Sequence, residues 1–279
     1  RLSLVGSEMC IRDRLYSVEY MAAFDACRHG IDPDDLPMSR RLRFAILYIP
    51  MNTTAWSDTL HATDWSPLWL SLKVAGVATL AALLLGIVLG WLFGRKRFPG
   101  RQVLEALFML PLVLPPTVVG YAILVAAGRR SAIGGWLREH FDYTIIFSWH
   151  GAVVASTIVA LPLVLKSASS AFAGVDRTLE AAAATLGQSR LSVFLRVTLP
   201  LAWPGILAGM LLAFARAMGE FGASLMVAGS IPRQTQTLSM AIYDAVQAGQ
   251  DDLALLLVIV TSVLSIVILV ASNRFLSNR

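Results

Sequence analysis

The chain has 279 residues, of which 56% are hydrophobic and 15% charged, with a formal net charge of +5 and a mean hydropathy of +0.66. Soluble domains run nearer to roughly 45–50% apolar and about 25% charged, so the composition points to a membrane protein. Two cysteines exclude a disulfide scaffold, the hydropathy excludes intrinsic disorder, and the lack of a long basic run excludes nucleic acid as the expected partner.

Residues 1–50 stand apart from the rest. They hold seven basic and seven acidic residues and both cysteines. Their longest apolar stretch, residues 44–49, is far too short to cross a bilayer. The opening string RLSLVGSEMCIRDR resembles the translated read-through of a sequencing adapter, with Met51 as a candidate natural start; a genuine cytosolic or periplasmic N-terminal extension is the competing reading. Residues 1–50 are therefore treated as a suspect, disordered leader, so Cys10 and Cys27 carry no functional weight. Residues 51–67 form a short segment ahead of the first span.

Five apolar runs follow, at residues 68–93, 103–127, 143–165, 205–228 and 253–271, with a tail at 272–279. The first, interrupted only by Lys73, would span roughly 39 Å as a helix, enough to cross a hydrocarbon core of about 30 Å. The runs are continuous rather than alternating, which excludes a β-barrel and predicts an all-α integral membrane fold with five transmembrane helices. The second run carries Pro111, Pro115 and Pro116 ahead of Thr117. Three prolines so close together predict a shaped, pathway-lining helix, because each one removes a backbone bond or clashes with the preceding turn. Gly86, Gly90 and Gly94 sit four residues apart, as do Gly205 and Gly209. That spacing predicts close helix packing in lipid.

Loop charges predict the orientation. The loops after the first and third runs, with the C-terminal tail, hold ten basic residues: Arg95, Lys96, Arg97, Arg101, Lys166, Arg177, Arg190, Arg196, Arg274 and Arg279. The opposite loops hold four: Arg129, Arg130, Arg138 and Arg233. The richer side is expected to be cytoplasmic, with the N-terminus outside and the C-terminus inside.

The loop at residues 166–203 is too polar to span. Asp176 is expected to cap a short helix over residues 177–186, Gly187 to end it, and a second short helix over residues 192–197 to stop before Leu199-Pro200. The string EAAAATLGQSRLSVFLRVTLP resembles the EAA motif of ATP-binding-cassette importer permeases. That pattern reads Glu-Ala-Ala, three residues, Gly, nine residues, an apolar residue, one residue, Leu-Pro. Glu180, Ala181, Ala182, Gly187, Leu199 and Pro200 are assigned to it, with Val197 where isoleucine is usual. The small alanines offer a smooth face to a groove, and Glu180 complements the helix dipole and is available to a basic partner residue.

Further strings, LPLVLPPTVVGY, FSWHGAVVAS and LAFARAMGEFGASLMVAGSIP, resemble the short, five-helix molybdate permeases over about residues 64–279. The resemblance implies a type I importer permease (MetI-like) fold over residues 68–271 in the bacterial inner membrane, and translocation of molybdate by alternating access. It implies a homodimer, a cytoplasmic ATPase subunit docked on the 166–203 loop, and a periplasmic or extracellular molybdate-binding protein. Sulfate, thiosulfate or tungstate import is the alternative. The chain itself is expected to be no enzyme and to bind no cofactor, with ATP and Mg used by the partner. Its three lysines, Lys73, Lys96 and Lys166, follow no glycine, so a G-x-x-x-x-G-K phosphate loop is impossible. His29, His61, His140 and His150 show no metal spacing, so no metal site is expected and His150 reads as a polar interface residue.

Arg216 and Glu220 lie four apart within the fourth run, which places them on one helical face. Two readings stand: an internal ion pair or gate, and a position for Arg216 along the anion path. Ser148 and Ser156 are weaker candidates for polar lining. Two other classes remain as weaker alternatives: a passive anion channel, which would need no docking loop, and a membrane enzyme, which would need convergent catalytic groups where the spans offer only Arg216 and Glu220 with His150.

Overall fold

The computed structural model describes Leu60 and residues 63–128 and 131–277. The leader, Arg129 and Arg130 lie outside these residues. The described chain is helical: α1 (Ser66–Arg95), α2 (Arg101–Val113), α3 (Pro116–Ala127), α4 (Ala132–Phe141), α5 (Trp149–Gly174), α6 (Arg177–Thr185), α7 (Arg190–Val193), α8 (Leu199–Met218), α9 (Gly222–Ala228), α10 (Leu238–Gln247) and α11 (Asp251–Ser277). A π turn, Phe194–Thr198, joins α7 to α8 without a break.

Four described stretches are long and apolar enough to cross a membrane: Ser66–Arg95, Trp149–Gly174, Arg190–Met218 and Asp251–Ile268. The pair α2 and α3 makes a fifth if it counts as one bent span. Helix α5 lies between α1 and α8, and the main core is built from Ala75, Ala78, Ala82, Val164, Ala168, Phe172, Ile206 and Ala213. The close approach is made by the spaced glycines. A methyl group on Gly86 would lie 2.5 Å from Val164 Cγ1, on Gly90 2.6 Å from Ala168 Cβ, and on Gly94 2.7 Å from the Ser169 carbonyl oxygen. From the other side, one on Gly205 would lie 2.7 Å from Ala171 Cβ and one on Gly209 2.5 Å from Ser167 Cβ. All five glycines thus face α5.

Several expected boundaries are corrected. The second run is not one helix. Leu114 (ψ 145°) and Pro115 (ψ 137°) are both extended, and α2 and α3 meet at 113°. A residue before proline is driven out of the helical region, and two successive prolines impose this twice. Pro116 then starts α3, in its first turn, where its missing N–H costs nothing. The fourth run also breaks, with residues 219–221 separating α8 from α9. The third spanning helix is displaced from 143–165 to Trp149–Gly174, because Ser148 caps it by accepting from the Gly151 N–H. The second short loop helix does not stop before Leu199-Pro200 but runs on into α8. There the Leu199 N–H reaches back to the Phe194 carbonyl, the wider π spacing that accommodates a proline inside a continuous helix. The expected tail is helical as far as Ser277.

Candidate functional site

The segment between α5 and α8 is built by local caps. The Asp176 carboxylate accepts from the Thr178 N–H at 2.8 Å, which satisfies a free donor of α6 and holds the acid below its usual range. At the other end Gly187 adopts φ +80°. Its N–H bonds the Ala184 carbonyl, and the Gln188 N–H bonds the Ala183 carbonyl, a paired closure that needs the left-handed residue. Ser189 caps α7 through the Ser192 N–H. Between these caps α6 buries no residue. Ala181, Ala182 and Gly187 are exposed, and Leu179, Leu186, Leu191 and Leu195 present apolar surface around them. Val197 and Leu199 are half-buried, and Pro200 is exposed.

Glu180 is committed inside the chain. Its Oε1 accepts from Arg95 Nη2, at the end of α1, and from Thr198 Oγ1, at the end of the π turn. Arg95 Nη1 also donates to the Val175 carbonyl at 3.1 Å, where α5 ends. Nearby, Phe194 stands between Trp91 of α1 and Phe172 of α5, with ring centroids 6.0 Å from each. The sequence reading missed Arg95 and Thr198. Arg95 had been weighed only as one of a run of orientation charges. No local signal ties it to a residue 85 positions away.

The motif register also needs correction. Four residues, 183–186, separate Ala182 from Gly187, against three in the pattern. Anchored on Gly187 and Leu199-Pro200, the pattern's acidic place falls on Ala181, and Glu180 stands one residue ahead. One residue on a helix is a turn of about 100°, which separates the exposed Ala181 from the inward Glu180.

The two broken runs meet at their breaks. A methyl group on Gly222, at the start of α9, would lie 3.1 Å from Pro116 Cβ and 3.5 Å from Thr117 Cγ2. One on Gly120 of α3 would lie 2.8 Å from Met226 Cβ and 2.9 Å from Ala223 Cα. Pro115, Pro116 and Thr117 are exposed along this stretch of the single chain. Arg216 lies in the last turn of α8, whereas Glu220 lies beyond the helix in the break. Backbone bonds from the Gly219 N–H to the Ala215 carbonyl and from the Glu220 N–H to the Ala217 carbonyl carry the turn just past the helix end. At the expected four-residue spacing Arg216 Nη1 stands 2.6 Å from Glu220 Oε2, an ion contact without the alignment of a hydrogen bond. Oε1 accepts from the Ala223 N–H at 2.9 Å and so caps α9. The Glu220 side chain is 1% exposed and that of Arg216 31%. Ser156 and Ser224 are buried with their hydroxyls 3.5 Å apart.

At the opposite end from α6, a cavity of about 460 Å³ is lined by Trp69, Lys73, Phe147, Trp149 and Arg233, among others. The Lys73 ammonium stands 3.7 Å from the centre of the Trp149 ring. His150 packs against the Trp149 ring and contacts the Tyr143 hydroxyl. Among the described residues, no three His, Cys, Asp or Glu side chains come together as a metal site.

The sequence and the helical fold both match proteins of known type. Residues 86–279 match the family described as binding-protein-dependent transport system inner membrane component. The chain belongs to this family. As such it is a multi-pass inner-membrane component of a transport system. It is 45% identical over 211 residues to the molybdenum transport system permease protein ModB of Escherichia coli K12, covering 75% of this chain and 92% of that protein. The putative molybdenum permease YvgM of Bacillus subtilis is 45% identical over 213 residues, 76% of this chain and 94% of that one. The sulfate transport permease CysW of Escherichia coli K12 is 39% identical over 185 residues, 66% of this chain and 62% of that one. Among solved structures, a bacterial alginate ABC importer matches with TM-score 0.66 at 15% identity, covering 83% of this chain and 85% of that one. The MetNI methionine transporter matches with TM-score 0.59 at 18% identity, covering 76% and 94%. At such identities these two speak for the fold alone.

Proposed function

We propose that the chain is the membrane subunit of an ATP-driven, binding-protein-dependent importer of molybdate. The observation that carries the substrate is the 45% identity over 92% of the ModB molybdenum permease, against 39% over 62% of the sulfate permease CysW. Two copies form the pathway at their interface, since one chain of four or five spans has little room for it. A separate subunit binds ATP and Mg, and a binding protein delivers the oxyanion on the far side. The ten-to-four bias of loop cations supports a cytoplasmic α6 end and a C-terminus inside.

The α6 helix is the docking element for the ATPase. Its exposed alanines, flanked by Leu179, Leu186 and Leu191, offer a small apolar surface that a groove can accept. ATP-driven closure there reaches the pathway as a coupling free energy between two sites. Nucleotide and loaded binding protein must therefore change each other's affinity by the same factor. The paired breaks at Pro115–Thr117 and Arg216–Glu220 belong to the pathway or its gate, because irregular backbone at membrane depth is tolerated where it is buried or lines a cavity.

Uptake of labelled molybdate tests this reading. The full chain is expressed with its ATPase and binding protein in cells lacking a high-affinity system. Saturable, ATP-dependent uptake that tungstate blocks and excess sulfate does not is the expected result. Equal competition by sulfate would move the protein to the sulfate importers, and uptake without ATP would make it a channel.

A further inference from the structure

We infer that Arg95 is a positioning residue that ties the docking helix to the membrane helices and so carries ATPase motion into the span. The inference rests on the docking role proposed for α6.

The argument begins with how little else holds α6. No residue of that helix is buried, so apolar packing does not anchor it. Its chain continues into the capped turn at Val175–Asp176 at one end and the left-handed turn at Gly187 at the other. Arg95, by contrast, is anchored. It ends α1, its side chain is 9% exposed, and α1 is locked to α5 through Gly86, Gly90 and Gly94. The guanidinium fork reaches two acceptors at once, the Glu180 carboxylate and the Val175 carbonyl. Glu180 in turn accepts from Thr198, where the π turn enters α8. One planar cation and one carboxylate thus join the ends of α1, α5 and α8 to α6. A lysine offers a single point charge and lacks the fork that bridges both acceptors.

Removing each partner has different consequences. The Glu180 side chain is 26% exposed and can turn to water when Arg95 is lost. Arg95 cannot do so when Glu180 is lost, so Glu180 variants carry an added burial penalty. Arg95→Ala is therefore the cleaner probe, and the readout is anion transported per ATP hydrolysed.

The experiment uses the full chain with its ATPase and binding protein in proteoliposomes. Arg95→Ala is expected to co-purify with the ATPase and keep its basal hydrolysis, while transport per ATP falls about fivefold or more, the scale of an ordinary coupling energy. Arg95→Lys should fall between Arg95→Ala and the parent. The double variant Arg95→Ala/Glu180→Ala should transport no less per ATP than Glu180→Ala alone, because both changes break one link. If Arg95→Ala keeps the full ratio while Glu180→Ala loses it, the operative partner of Glu180 lies on the ATPase and the inference is overturned. Should Arg95→Ala fail to insert, Arg95→Lys decides, and an undiminished ratio there overturns it equally. Gly187→Val separates the two levels. If it leaves coupling and ATPase binding intact, the docking role itself fails, whereas failure of the Arg95 link alone leaves the Gly187 effect in place.

Discussion

Helices α1, α5 and α8 are joined by surfaces with no room for a methyl group, whereas α6 is held to them through one carboxylate, Glu180, which meets the Arg95 guanidinium and the Thr198 hydroxyl. The first kind of joint transmits any displacement, because close-packed small residues cannot slide without a clash. The second is polar and sits at the edge of the bundle, where its groups can exchange partners with water or with another protein. On the proposed docking role of α6, the two joints would serve different ends: a stiff span, and a connection at its edge that a partner subunit can engage.

The comparison predicts where substitutions destroy the protein and where they disconnect it. The largest effect is expected in the stiff region. Gly90→Leu places a side chain where Ala168 Cβ and the Ala168 carbonyl carbon already lie 2.6 and 3.1 Å from a bare methyl position. Overpacking of this kind costs about 1–3 kcal/mol or more. Thermal unfolding in detergent should show a large fall in Tm, and an unchanged Tm would mean that α1 and α5 are not in contact at this position.

Next comes Gly187→Val, which forces a β-branched residue to φ +80°. The local cost is roughly 1–3 kcal/mol, yet no membrane contact is involved, since nothing lies within 4 Å of the added methyl. Insertion and Tm of the span should survive while anion transport per ATP falls. Equal loss of insertion would show that the α6 turn is part of the bundle's stability.

The broken-helix region lies between these extremes. Arg216→Ala leaves the Glu220 carboxylate buried without its cation, although the Ala223 cap remains. Transport should fall more than membrane assembly, and parallel loss of both would remove Arg216 from the pathway and leave it a structural pair. Glu220→Gln keeps an acceptor for the Ala223 N–H and should restore part of the assembly lost in Glu220→Ala.

The smallest effect is expected at the exposed pair Asp64–Arg233, 2.8 Å apart. The Arg233 guanidinium, by hydrogen bonding, holds the Asp64 carboxyl below its usual 3.8. A depressed acid stabilises the folded state above its unfolded pKa, and that contribution fades as pH falls through the lower folded value. The Tm difference between the parent and Asp64→Asn should therefore be small and flat from about pH 5 to 8, and should shrink only in stronger acid. A difference that grew on acidification would contradict the pairing.

Legibility in the sequence followed the range of the forces involved. The break after Leu114 was signalled by Pro115-Pro116 but read as a shaped helix, and only the structure turned it into a 113° bend. The break after Met218 carried a weaker signal. Gly219 and Gly222 sat inside a continuous apolar run, and the charge pair Arg216–Glu220 looked like one face of a helix. Caps were readable at both ends of α6, at Asp176 and Gly187. The inward commitment of Glu180 was not, and the motif count around it was one residue out.

What the sequence determined by itself is what depends on bonded geometry and on length against a bilayer: a helical membrane protein, the proline interruption, the glycine-terminated loop helix and the small-residue spacing. Which surfaces those glycines meet, that α2–α3 and α8–α9 break at one place, and that Arg95 holds Glu180 were decided only by the tertiary structure. Such pairings join residues far apart in the chain, and each is selected by the packing of the whole bundle, not by any local preference that a window of sequence records.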